Sequence, residues 1–133
     1  WSCQNAETLT YPSRTFDAYT IVFGIRNVTH IDRALAEAYR VLRRGGRFYC
    51  MELSTTEWPG FREVYDLYSH KVMPKLGKAI AGDEDSYRYL AESIRRFPKM
   101  PEFEQMIRAA GFEQTRVEPI LGGAVAIHSG WKI

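Results

Sequence analysis

The stretch "FDAYTIVFGIRNVTHIDRALAEAYRVLRRGGRFYCMELS", residues 16–54, decides the fold. Its opening, "FDAYTIVFG" (16–24), is rich in β-branched and aromatic side chains and carries only the charge of Asp17. That pattern predicts a strand covered on both faces, as in a parallel sheet. In "NVTHIDRALAEAYRVL" (27–42), Ile31, Ala34, Leu35, Ala38, Tyr39 and Leu42 recur at helical spacing and make one apolar face. Thr29 and Asp32 form a T-x-x-D capping pattern at its start. Gly45 and Gly46 supply the left-handed conformations expected to stop it. "RFYCMEL" (47–53) reads as a second strand. Strand, helix and strand joined so closely imply a right-handed parallel crossover.

Working outward, residues 1–15 read as an irregular lead-in with a turn cluster at "YPSRT". Residues 57–110 hold no strand pattern. Phe61, Val64, Tyr65, Tyr68 and Val72 make a helical stripe ending near Pro74, and "DSYRYLAESIRRF" (85–97) makes a second helix stopped by Pro98. Phe103, Met106, Ile107 and Ala110 make a third, stopped by Gly111. Two strands close the chain, "EQTRVEPI" (113–120) and "AVAIHSGWKI" (124–133), and their short joint implies an antiparallel hairpin. A parallel strand–helix–strand unit, then helices, then a C-terminal hairpin is the layout of the second half of a class I (Rossmann-like) methyltransferase fold, an α/β fold. The whole chain, 1–133, then reads as a single partial domain with a helical insert, or lid, at about 57–97.

Composition narrows the function. At 133 residues, 45% hydrophobic and 26% charged, the chain can build one globular core. A formal charge of +2, with no run of Lys or Arg beyond two, does not suggest nucleic acid. The longest apolar stretch, around "YTIVFGI", is far too short to span a membrane. No signal peptide is visible, and because the first residue is Trp1, an upstream targeting segment stays open. Cys3 and Cys50 make no C-x-x-C pair, and Cys50 in its apolar strand reads as a reduced, buried thiol. Three scattered histidines give no metal-ligand spacing, and His128 reads as a satisfied structural residue.

Several blocks carry a family resemblance. "RVLRRGGRFYCMELS" (40–54) resembles a signature of the ubiquinone/menaquinone biosynthesis C-methyltransferase family. Arg40, Val41, Gly45, Gly46, Glu52 and Ser54 match it, while Arg43 and Arg44 stand for the usual Lys and Pro. "NAE" (5–7), "FGIRNV" (23–28), "SYRYLAESI" (86–94) and "AIHSG" (126–130) look like its other blocks, in wording closer to the mitochondrial members. The resemblance implies methyl transfer from S-adenosylmethionine to a ring carbon of a polyprenyl benzoquinol in ubiquinone biosynthesis. It implies a location in the mitochondrial matrix, peripheral to the inner membrane, or in the cytoplasm if the source is bacterial. Homodimerisation and contact with other quinone-biosynthesis enzymes go with it. Demethylmenaquinone as substrate stays open, as does a non-catalytic quinone-binding subunit.

The same resemblance places the adenine of the cofactor beside Asn5 and Ala6. Val22 falls where some members carry a cofactor-contacting Ser. No G-x-G occurs in the 133 residues, so the family's glycine-rich cofactor loop and ribose-binding acid have no match here. The chain alone is therefore expected to bind the cofactor poorly, as the C-terminal portion of the fold. Arg26 and Asn27 are the candidate catalytic residues, at the carboxyl end of strand 16–24, where open parallel sheets bind ligands. A guanidinium stays protonated and is a poor base. Its expected role is to stabilise a phenolate, or to hold a water that takes the proton, with Asn27 orienting the same hydroxyl. In this fold the first strand lies beside the fourth, which is 16–24, and strands one to three have no match here, so 16–24 is expected at the sheet edge and the chain is not expected to be a free monomer.

Overall fold

The computed structural model describes residues 1–54 and 84–133. β1 (Phe16–Val22) and β2 (Leu42–Leu53) run parallel, linked by a 3-10 turn (Ile25–Asn27) and α1 (Ile31–Val41). Helices α2 (Glu84–Arg96) and α3 (Met100–Ala109) follow, then the hairpin of β3 (Glu113–Ile120) and β4 (Val125–Lys132). The sheet order is β1-β2-β4-β3, with β4 antiparallel to both neighbours. The crossover and the antiparallel insertion of the last strand match the layout expected from the sequence. The stripe from Phe61 to Val72, and residues 57–83 of the expected insert, lie outside the described residues.

The core sits between the sheet and its helices. Phe48, Cys50 and Glu52 of β2 alternate inward, as do Ala126, His128 and Lys132 of β4. Leu35 and Ala38 of α1, and Phe103 and Ile107 of α3, pack with Phe48, Cys50, Phe97 and Phe112 in one cluster. The other face of the sheet is half open: the Arg47 guanidinium lies 3.7 Å over the Trp131 ring there, a cation–π contact.

Three local expectations are corrected. β1 is not covered on both faces: Tyr19 and Ile21 lean on the core, while Ala18, Thr20 and Val22 are exposed. Among the described residues it is also the edge strand, so an apolar run shaped for a sheet interior has one open face and one unpaired edge. Second, the T-x-x-D pattern does not cap α1. His30 is the N-cap and gives no side-chain cap bond. The Glu7 carboxylate instead accepts from the backbone N–H groups of Thr29 (2.8 Å) and His30 (3.0 Å). It answers orphan donors at a helix N-terminus, where negative charge is favoured. Third, Gly45 and Gly46 do not stop the helix. α1 ends at Val41, and the Lys132 ammonium donates to the carbonyls of Tyr39 (2.6 Å) and Leu42 (2.7 Å). The glycines lie instead in the first part of β2, where its pairing with β1 jumps from Phe16–Leu42 to Ala18–Arg47: Gly45 has φ +77°, and a Cβ on Gly46 would lie 2.8 Å from the Arg43 carbonyl oxygen.

Candidate functional site

The carboxyl end of β1 is built by a sharp change of direction. Phe23 keeps one sheet bond, its N–H donating to the Met51 carbonyl at 2.9 Å, yet it adopts φ +52°. A bulky residue in the left-handed region is strained, and such strain gathers at functional sites. Gly24 follows where a Cβ would crowd Ile21 at 3.2 Å. Ile25 is buried and anchors the 3-10 turn, so Arg26 and Asn27 are held by a fixed backbone.

Arg26 does not stand as a lone cation. Its Nη1 donates to Glu52 Oε1 at 2.5 Å, and the two side chains are only 10% and 1% exposed. The Arg26 backbone N–H donates to Glu52 Oε2 at 3.4 Å, and the Leu53 N–H to Oε1 at 3.0 Å. The buried Arg26 Nε has no hydrogen-bond partner among the described residues. The Tyr89 hydroxyl of α2 donates to Asn27 Oδ1 at 3.0 Å. Arg26, Asn27, Tyr89, Ser93, Arg96 and Phe97 line an open cleft of about 380 Å³. The cleft therefore lies between the end of β1 and the helix that carries "SYRYLAESI".

Asn5 and Ala6 form a turn: Asn5 Oδ1 accepts from the Glu7 N–H at 2.9 Å, and Thr8 N–H donates to the Asn5 carbonyl at 3.0 Å. Glu7 bonds to Thr29 and His30, which ties this turn to the segment just after Arg26 and Asn27. The His30 ring against the Glu7 carboxylate holds that carboxyl below its ordinary pKa. Further along, Glu37 accepts from the Leu9 N–H, and Arg40 donates to the carbonyls of Leu9 and Tyr11. The lead-in is thus fastened along α1. The residues expected from the resemblance to border an adenine, Asn5, Ala6 and Val22, have side chains that leave room for a flat heteroaromatic ring. Asn5 is exposed and its oxygen keeps a second lone pair, Ala6 is small, and Val22 and Phe23 are exposed at 54% and 41%.

Glu52, Tyr89, Ser93 and Arg96 were not singled out as site residues from the sequence. Glu52 carried a signal: it stands in phase with the inward positions Phe48 and Cys50, and a carboxylate there needs a partner. The Cys50 thiol is pushed up to about 12 by burial and then by Glu52, which keeps it protonated and inert.

His128 is not among the residues lining the cleft. It is buried in the core with its ring edge-on to Phe103 at 4.8 Å, and neither ring nitrogen has a partner at full hydrogen-bond geometry among the described residues. It is structural, as expected, but not satisfied. Burial pushes its pKa below 6.5, against weaker opposing effects of the Met100 backbone and Glu104. Below the ordinary value the unfolded chain takes up a proton that the folded chain resists, so stability falls as pH drops from 6.5 toward the folded value. In the full-length gene product, stability should fall by at most about 1.4 kcal/mol per pH unit from this residue as the pH drops below about 6.5. His128→Leu should flatten that slope in urea titrations, and an unchanged slope would exclude His128 as its source.

Residues 1–132 match the ubiE/COQ5 methyltransferase family. The chain is 61% identical, over all 133 of its residues and 55% of the relative, to the ubiquinone/menaquinone biosynthesis C-methyltransferase UbiE of Zymomonas mobilis. It is 57% identical, over its whole length and 45% of the relative, to the mitochondrial 2-methoxy-6-polyprenyl-1,4-benzoquinol methylase of Oryza sativa. The chain thus spans about half the length of these relatives. Among solved structures, a SAM-dependent methyltransferase of Thermotoga maritima aligns with 98% of this chain and 62% of its own at a TM-score of 0.68. Its sequence identity is 23%, and the likeness is one of fold. The chain has a partial class I methyltransferase fold.

Proposed function

Since the chain belongs to the ubiE/COQ5 methyltransferase family, we propose that the full protein methylates a ring carbon of a 2-methoxy-6-polyprenyl-1,4-benzoquinol in ubiquinone biosynthesis, with S-adenosylmethionine as methyl donor. The observation that carries this reading is the pairing of Arg26 and Asn27 on one cleft at the carboxyl end of a parallel strand. The bound cofactor supplies an electrophilic methyl group. Asn5, Ala6 and Val22 take its adenine side; they reach one end of it only, so the 133 residues alone hold it weakly. Ring carbon methylation needs an electron-rich ring. Arg26 stabilises the phenolate that provides it. With Asn27 Oδ1 accepting from Tyr89, the Asn27 amide N–H groups are left to orient the substrate oxygen.

Residues 1–133 act as one partial methyltransferase domain, and α2, the described part of the expected insert, shields the cleft from water. The α2 side chains Tyr89, Ser93 and Arg96 on the cleft support that role. A homodimer pairing along the free edge of β1, or another segment of the same protein lying there, would cover the exposed Val22 and Phe23. The protein works in the mitochondrial matrix against the inner membrane, beside other quinone-biosynthesis enzymes, or in the bacterial cytoplasm. Among the described residues no helix is long and apolar enough to cross a membrane.

The test is methyl transfer by the full-length gene product to a short-tailed 2-methoxy-6-polyprenyl-1,4-benzoquinol, read by mass spectrometry, with a demethylmenaquinol in parallel. Methylation of the benzoquinol is expected. Methylation of the naphthoquinol alone would move the reading to menaquinone, and methylation of neither would leave a non-catalytic subunit.

A further inference from the structure

We infer that Glu52 is a positioning residue for Arg26, and that the two work as one unit at the cleft; this rests on the methyltransferase reading above. Glu52 holds Arg26 twice, at the guanidinium (2.5 Å) and at the backbone N–H (3.4 Å). One carboxylate therefore fixes both the turn that presents Arg26 and the rotamer it adopts. Glu52 is 1% exposed and is not among the residues lining the cleft, whereas Arg26 is. A substrate would meet the guanidinium and not the acid behind it.

Stability alone is a poor reason for this pair. A buried ion pair loses so much solvation that apolar residues of similar volume often serve a fold as well or better. Glu52 occupies an inward position in step with Phe48 and Cys50, where an apolar side chain would pack with the core. The pose is not one of best hydrogen bonding for the arginine either, since its buried Nε has no partner among the described residues. Unsatisfied buried donors call for an explanation, and fixing a guanidinium for an incoming oxygen supplies one. The carboxylate also offsets the charge of Arg26, so that the cation is tolerated in a closed site before the phenolate forms.

The experiment is steady-state kinetics on the full-length gene product carrying Glu52→Gln, Glu52→Asp, Arg26→Ala and the double variant Arg26→Ala/Glu52→Gln, each corrected for folded fraction. Glu52→Gln keeps the shape and removes the charge. It should lower kcat by roughly tenfold to a hundredfold, the scale of a misplaced catalytic group, with KM for S-adenosylmethionine unchanged. Glu52→Asp should recover part of that loss. In the Arg26→Ala background, Glu52→Gln should cost nothing further in kcat, because the residue through which it acts is gone. Full kcat per folded enzyme in Glu52→Gln and Glu52→Asp would overturn the inference and leave a purely structural ion pair. Independent, additive losses in the double variant would overturn it as well. A wild-type protein that transfers no methyl group overturns the functional reading, and this inference with it.

Discussion

Replacing Arg26 with alanine in the full-length gene product is expected to cut kcat by a factor of roughly a hundred to a thousand, about 2.7–4 kcal/mol of transition-state stabilisation. Binding of S-adenosylmethionine, measured by calorimetry, should change little, because the proposed function gives the adenine side to Asn5, Ala6 and Val22 and not to Arg26. A second effect accompanies the first. Arg26→Ala leaves Glu52, 1% exposed, as a buried carboxylate without its cation. Breaking a buried pair from one side costs about 3–5 kcal/mol of stability. Activity must therefore be expressed per folded molecule, or the two losses will be confused.

Arg26→Lys separates charge from geometry. An ammonium can reach Glu52 or the substrate as a point charge, but it lacks the planar fork that engages both. It should restore most of the stability and only part of kcat. If Arg26→Ala turned over normally once corrected for folding, the pair would be a structural tie and the cleft would need another electrostatic stabiliser. Arg96, on the same cleft, would be the next residue to test.

The parts of the fold that were legible in the sequence are those with a local period. The helix of 31–41, the strand before it, the helix of 84–96 and the closing hairpin follow from spacing and from turn residues close by. The features that escaped are contacts between residues far apart in the chain. Glu7 caps a helix that begins more than twenty residues later, and Lys132 caps the end of the same helix from the last strand. No local pattern announces either one, and the T-x-x-D signal at Thr29 misses because the helix starts one residue later, with His30 as its N-cap, and Glu7 accepts from the Thr29 N–H. Arg26 and Asn27 stand out as candidates in the sequence because they follow a parallel strand, whose carboxyl end is where such sheets bind ligands. Glu52 was visible only as a signature residue. Its burial beside Arg26 depends on the register that sets Val22 opposite Met51, and so places the ends of β1 and β2 side by side.

Phe48→Ala is expected to be the most destabilising single change in the described core, costing about 3–5 kcal/mol. Phe48 is 0% exposed and lies at the middle of β2, beside Tyr19 on one neighbour and Gly130 on the other. Its ring is 5.0 Å from that of Phe112 and 5.9 Å from that of Tyr19. Gly130 eases this contact: a Cβ there would lie 3.0 Å from the Phe112 Cβ, tight enough that Phe112 would have to shift by a few tenths of an ångström. Removing the ring takes away its transfer free energy and also leaves a cavity under three aromatic or β-strand neighbours that cannot easily collapse. Against a total stability of about 5–15 kcal/mol the loss is large. Urea denaturation of the full-length gene product measures it, and Phe48→Leu should retain much of the lost stability. Gly130→Ala tests the same contact from the other side, because the added methyl group must shift Phe112 against its ring partner. If Phe48→Ala cost less than about 1 kcal/mol, the neighbours would be closing the cavity, and the Phe48–Phe112 contact would not be the centre of this core.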